Sequence, residues 1–390
     1  MSHPQIARRL HPGRPLHRQH VARRPGRPVK VNWILSRSGC MLIASSDPTL
    51  EDPMPIDPLV SIIIPCYNGE AYLRDAIDSA LTQSYPHVEI VVVDDGSTDQ
   101  SGSIIHSYAD RLIGIRHSNQ GLPRSRNAGV ARSRGEYLLF LDCDDLIAPD
   151  TVAALLAAVK EEPDTVACCK WRTLVQKNGA WIAEASEVPF PLPHPDPLAG
   201  WLLGQWIPCC SFLWPRELFN RLGGFDGELT TNEDGDLMYR ALLRGTRLAV
   251  ARGGESYYRR HGTNALSMSR DIFSEHRIRS SMRAFEKLET ELHQRDLWDS
   301  YKIPLGIAYQ MLAHRAFSAR TDLAREALER GVRLAGKRAV SPTRLGRVLV
   351  RLIGMERKER TARALAQLGL MTSGRRQYTK LGRLHRANSP

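Results

Sequence analysis

Ser61-Ile62-Ile63-Ile64-Pro65-Cys66-Tyr67-Asn68-Gly69-Glu70 sets the reading of the whole chain. Its β-branched run ends at a proline, a polar loop follows, and then Ala71, Leu73, Ala76, Ile77, Ala80 and Leu81 recur at helical spacing. The same order of strand, polar loop and helix returns at 89–94, where Asp94-Asp95-Gly96-Ser97-Thr98-Asp99 closes the strand. A weaker strand near Ile113, a helix opening around Pro123 and a strand at 136–141 come next. Strands alternating with helices every ~25–30 residues are what parallel crossover units require. The prediction is an α/β fold, a mostly parallel sheet flanked by helices on both faces. In such sheets ligands bind at the carboxyl ends of the strands, where Tyr67 and Asn68, Asp94 and Asp95, and Asp142 to Asp145 all fall.

The 390 residues are 42% hydrophobic and 25% charged, which excludes a disordered, collagenous or disulfide-stapled chain. No apolar run approaches the roughly 18 residues a membrane span needs. Seven cysteines, at 40, 66, 143, 168, 169, 209 and 210, give an odd count without C-x-x-C spacing. They read as reduced thiols, and the expected location is cytoplasmic. Net charge is +12 but uneven: residues 1–46 hold nine Lys/Arg and no acid, residues 47–270 hold 20 basic and 30 acidic groups, and residues 271–390 hold 25 and 12. An acidic centre between basic ends assigns chemistry to the middle and attachment or solvation to the ends.

Residues 1–57 lack any hydrophobic period and are expected to be a disordered basic extension, with Met41 and Met54 as alternative starts. Residues 271–370 read as a helical appendage and residues 371–390 as a basic flexible tail. Within the appendage Leu345, Val348, Leu349, Leu352 and Ile353 share a stripe, with Arg344, Arg347 and Arg351 elsewhere.

Asp142-Cys143-Asp144-Asp145 places three carboxylates within four residues. Two unit charges ~5 Å apart repel by roughly 3 kcal/mol at an effective dielectric of about 20, a cost that a divalent cation removes. Oxygen ligands of this kind suit Mg²⁺ or Mn²⁺ holding a diphosphate. The alternative is structural, with Asp145 capping a helix that starts at Thr151. Asp94 has the same two readings, facing a ligand or forming an ordinary turn in which Ser97 or Thr98 caps the next helix.

These segments, in this order, together with Asn119 to Gly129, Leu222-Gly223-Gly224-Phe225-Asp226 and Glu233-Asp234-Gly235-Asp236, resemble glycosyltransferase family 2 over about residues 58–270. The resemblance implies a GT-A, Rossmann-like catalytic domain, a nucleotide-sugar donor such as a UDP-sugar, a divalent metal, and direct displacement with inversion. It implies that Pro65, Tyr67, Asn68 and Glu70 line the nucleotide pocket with Asp95, that Asp94 contacts the base, and that Arg126 lies near the nucleotide. Asp142 and Asp144 would hold ribose and metal, with His261 at the diphosphate as a further metal ligand. Asp234 would be the general base and Glu233 would shape the acceptor site. Asp236 and Arg240, four apart on a helix, read as a surface pair. Trp201, Trp206 and Trp214 are expected mainly in the core, with a sugar-stacking face as the other use.

The implied acceptor is a glycan or lipid-linked glycan of surface polysaccharide assembly. Residues 330–390 carry 16 Lys/Arg against two acids, so peripheral contact with the inner face of the cell membrane is a further expectation. Two competing readings are a basic nucleic-acid-binding protein, opposed by the acidic centre, and an inactive nucleotide-sugar binder. The expectation is an enzyme without a nucleic-acid partner.

Overall fold

The computed structural model describes residues 57–159, 164–186, 188–261, 274–317, 320–337 and 344–367. The expected N-terminal extension, up to residue 56, and the expected tail at 371–390 lie outside the described residues.

Strand β1 (Val60–Cys66) is buried along its whole length and pairs in parallel with β2 (Val88–Asp94) on one side and β4 (Tyr137–Phe140) on the other. Strand β3 (Ile113–Arg116) adds in parallel to β2. Alternate side chains enter two separate apolar clusters: Ile63, Val91, Val93 and Phe140 on one face, Ile62, Ile64 and Val92 on the other. A continuous β-branched run is therefore needed, because both faces are covered. Helix α1 (Leu73–Leu81) buries Leu73, Ala76, Ile77 and Ala80 at the predicted spacing, and the short α2 (Ser101–His106) follows β2. Helix α3 (Leu122–Arg132) seats against β1 through Gly129, where a Cβ would stand 2.4 Å from Ile63 Cγ2.

The parallel pattern ends after four strands. Strand β8 (Phe212–Pro215) runs antiparallel to β4 and to β6 (Thr165–Lys177). Strand β9 (Arg247–Arg260) is parallel to β6, and β5 (Leu146–Ile147) is antiparallel to β9. Strand β7 (Ala180–Ala185) folds back on β6 as a hairpin whose turn residues, Asn178 and Gly179, both have positive φ, the Asn-Gly geometry that matches strand twist. The sheet is mixed, its parallel part carrying the first three ligand-facing loops.

Beyond α4 (Thr151–Val159), α5 (Pro197–Leu202) and α6 (Arg216–Arg221), helices α8 (Glu275–Gln294), α9 (Trp298–Ala316) and α10 (Thr321–Ala335) pack on one another. Their Leu288, Tyr309 and Ala327 belong to the same apolar cluster as Phe140 and Trp214 of the sheet. The pair expected at the surface is a buried joint instead. Asp236 of α7 (Glu233–Leu243) is 2% exposed, and it pairs with Arg240 at 2.8 Å and with Lys287 of α8 at 2.6 Å. Among the described residues no helix is long and apolar enough to cross a membrane.

Candidate active site

The loop after β1 is zipped to the loop after β2 by reciprocal hydrogen bonds. Asn68, in the left-handed region at φ 51°, donates its N–H to Ser97 Oγ (3.0 Å) and accepts from Thr98 N–H at Oδ1 (2.8 Å). Gly69 N–H donates to Ser101 Oγ at 3.0 Å. Glu70 accepts from Gln100 N–H at 2.9 Å and stays exposed, so it locks the loops together and lies off the cavity wall where it was expected. Tyr67 is half exposed at the cavity rim.

The two aspartates after β2 face different ways. Asp94 Oδ1 accepts from Ser97 N–H (2.8 Å) and Oδ2 lies 3.5 Å from Arg116 Nε, so Asp94 faces the sheet edge at β3. Asp95 lines the main cavity and holds the start of α3 by accepting from Gln120 N–H (2.8 Å) and Gly121 N–H (2.9 Å). Asp94, expected at a ligand, therefore stands outside the cavity that Asp95 lines. Asp94 shares the parity of buried Ile90 and Val92, which turns it toward the opposite face.

Arg126 of α3 is 2% exposed and sits between two acids from distant parts of the chain. Its Nη2 donates to Asp142 Oδ1 at 2.6 Å and its Nη1 to Glu233 Oε1 at 3.1 Å. Its guanidinium carbon lies 5.1 Å from the centre of the Phe225 ring, which the left-handed glycines 223 and 224 bring round beneath it. Glu233 opens α7 beside Asp234. Burial, followed by the neighbouring Asp234 charge, pushes Glu233 up to about 6. Burial also raises Asp234, against the opposing pull of Arg126. Asp234 carries no ion pair among the described residues and lines the cavity.

Each aspartate of the cluster after β4 has a partner within the chain. Asp142 takes Arg126, and Asp144 Oδ2 lies 2.7 Å from His261 Nε2. Asp145 is buried, accepting from Arg259 N–H (2.8 Å) and Cys210 S–H (3.5 Å), and burial followed by Asp144 and Asp142 holds it well above the usual carboxylate range. It anchors β9 and does not cap the helix starting at Thr151. Part of the crowding read from sequence as a demand for a cation is thus met within the chain, by the Arg126 ion pair on Asp142 and by hydrogen bonds on Asp144 and Asp145. Among the described residues no group of three or more His, Cys, Asp or Glu converges as a ready metal cage.

His261 is clamped by aromatic rings: Tyr72 at 4.8 Å and Trp181 of β7 at 5.9 Å between centroids. The Arg259 guanidinium lies 4.5 Å from the Tyr72 ring centre and 4.9 Å from that of Trp181. Beside them Cys66 and Cys143 converge so closely that a Cβ on Gly69 would stand 2.9 Å from each sulfur. The six described cysteines form no disulfide.

One cavity of about 540 Å³ gathers Pro65, Tyr67, Asn68, Asp95, Arg126, Asp142, Asp144, Glu233, Asp234 and His261. Of the expected site residues, Glu70 and Asp94 stand outside it. Of the three tryptophans, Trp206 reaches the cavity while Trp201 and Trp214 are core. Tyr72 and Trp181 were not anticipated, and Arg259 was met only as a member of the segment that carries His261. Tyr72 and Arg259 lie within six residues of recognised motifs, whereas Trp181 had only the Asn178-Gly179 hairpin signal to place it.

Residues 61–216 match glycosyl transferase family 2, and the chain carries a domain of that family. An uncharacterized glycosyltransferase of Rickettsia typhi is 35% identical over 187 residues, 47% of this chain and 59% of that protein. Glycosyltransferase GlyA of Streptococcus pneumoniae is 38% identical over 129 residues, 32% of this chain and 18% of GlyA. The chain thus spans less than two thirds of the length of these relatives. The crystal structure of S. aureus TarS in complex with UDP-GlcNAc superposes with a TM-score of 0.53 over 80% of this chain and 92% of the TarS chain, at 22% identity. That likeness is one of fold, and the fold is the GT-A arrangement.

Arg126→Ala leaves Asp142 and Glu233 facing each other across a buried gap. It is expected to cost about 3–5 kcal/mol in chemical denaturation, the usual penalty for breaking a buried pair. Adding Glu233→Gln should restore part of that loss. Full stability in Arg126→Ala would show that the triad holds nothing together.

Proposed function

We propose that this chain, through its family 2 domain, is an inverting glycosyltransferase that moves a sugar from a UDP-sugar to a hydroxyl of a glycan or lipid-linked acceptor. The observation that carries the reading is that Asp234, without an arginine of its own, shares one cavity with Asp95, the Arg126–Asp142 pair and the Asp144–His261 pair. The donor assignment draws on TarS, which has been solved with UDP-GlcNAc.

In this scheme Pro65, Tyr67, Asn68 and Asp95 receive the nucleoside, with Asp95 taking the base contact first expected of Asp94. Asp142, fixed by Arg126, presents its other oxygen to the ribose. Asp234 accepts the proton of the acceptor hydroxyl as that oxygen attacks the anomeric carbon, and the bond to the diphosphate oxygen breaks on the opposite side. Glu233 fixes Arg126, so the neighbouring acids divide the work: one holds the frame and the other moves the proton. Trp206, in contact with Trp171 (5.2 Å) and Tyr258 (5.5 Å), offers a ring face for an acceptor sugar.

Asp144 and His261 suit a hard divalent cation. They are a carboxylate and an imidazole 2.7 Å apart on the cavity wall, and the buried Nδ1 of His261 has no hydrogen-bond partner among the described residues. Mg²⁺ or Mn²⁺ held there would neutralise charge on the departing diphosphate.

Asp234→Asn is expected to keep UDP binding while transfer drops by roughly 10²–10⁴-fold, the usual worth of a positioned base. Unchanged transfer would remove Asp234 from that role, and UDP binding by the natural chain without transfer from any nucleotide sugar would favour an inactive binder. A base works only when ionised, and both Asp234 and Glu233 are raised. The acid limb of kcat/KM should therefore lie above the ordinary carboxylate value of about 4, activity being lost as pH falls through the raised range. A limb at the ordinary value would contradict this. Calorimetry with UDP should give binding that Mn²⁺ strengthens in the natural chain and not in Asp144→Ala, and equal binding in all cases would rule out the cation site.

A further inference from the structure

Eight large apolar side chains stand exposed among the described residues, and half of them lie on one ten-residue helix, α11 (Arg344–Ile353). Leu345 is 69% exposed, Val348 48%, Leu352 74% and Ile353 37%. Their spacing of i, i+3, i+7 and i+8 makes a single stripe. The helix rests on the protein by another side, where Gly346 is buried and Val350 packs on the main apolar cluster. Helix α12 (Met355–Gln367) follows and buries Met355. A stripe of this kind left in water marks a contact surface.

The charge around the stripe indicates what covers it. The described residues 344–367 hold seven Lys/Arg and two acids, and both acids are engaged: Glu356 with Arg325 at 2.5 Å, Glu359 with His314 at 2.5 Å and with Lys358. Arg351, Arg357 and Arg360 are exposed nearby. A second copy of the chain would bring the same cationic face against itself. A nucleic acid would meet the arginines but leave the four apolar side chains wet.

We propose that α11 and the basic residues beside it dock the protein on the surface of an anionic lipid bilayer, the stripe entering the boundary of the acyl chains and the arginines meeting headgroup phosphates. This does not depend on the transferase reading, since vesicle binding needs neither donor nor acceptor. It places the chain where a lipid-linked substrate would be found.

The test is sedimentation of the full chain with vesicles of phosphatidylglycerol and phosphatidylcholine, and of phosphatidylcholine alone. Binding to the anionic vesicles is expected to be at least about tenfold tighter and to weaken with added salt. Leu345→Glu with Leu352→Glu should lower that binding by roughly tenfold or more while leaving the melting temperature and UDP binding unchanged. Four results would overturn the proposal: no binding to anionic vesicles at low salt, binding that the double substitution leaves intact, a dimer of the natural chain that the double substitution abolishes, or duplex DNA bound more tightly than the vesicles.

Discussion

A guanidinium with almost no access to water holds this protein's working parts in place. Arg126 leaves α3 beneath the sheet, takes one oxygen of Asp142 at the end of β4 and one of Glu233 at the start of α7, and rests on the Phe225 ring. Burying a full charge is costly, and the cost is met only while both partners remain. The three elements that bear the site therefore cannot drift independently. The same constraint explains why adjacent acids differ: Glu233 is committed to the arginine, which leaves Asp234 open to the cavity.

Around this joint, short polar loops are tied to one another. Asn68, Gly69 and Glu70 pair with residues 97–101, and Asp95 holds the backbone before α3. The other wall comes from the mixed half of the sheet, where β9 delivers Arg259 and leads into His261, and Trp181 of β7 backs both. A cavity built between two halves of one sheet can recognise two unlike molecules, one on each side, which is the demand that group transfer makes.

Much of this was legible in the sequence, for identifiable reasons. The β-branched runs at 61–64 and 90–93 announce strands buried on both faces, and acids directly after strands mark the ligand end. What could not be read were facts of side-chain direction and long-range pairing. Asp94 and Asp95 are adjacent in sequence, and their roles separate only once it is known which face of β2 carries α3. The partners of Asp142 and Asp144, Arg126 and His261, come from 16 and 117 residues away. The reversal at β8 follows from how the chain returns, which local periodicity does not record.

Strand β9 runs fourteen residues from the edge beside Thr165 to the histidine that meets Asp144. It pairs with β6 over Arg247–Val250 and again, beyond a register shift, over Glu255–Arg260, and it is pinned where Asp145 accepts from Arg259 N–H. The second paired stretch sets the backbone just before His261, so strand pairing holds the imidazole beside Asp144. Related chains could therefore exchange the hairpin tip, and with it the ring stacked on Arg259, as an interchangeable fitting on an unmoved beam.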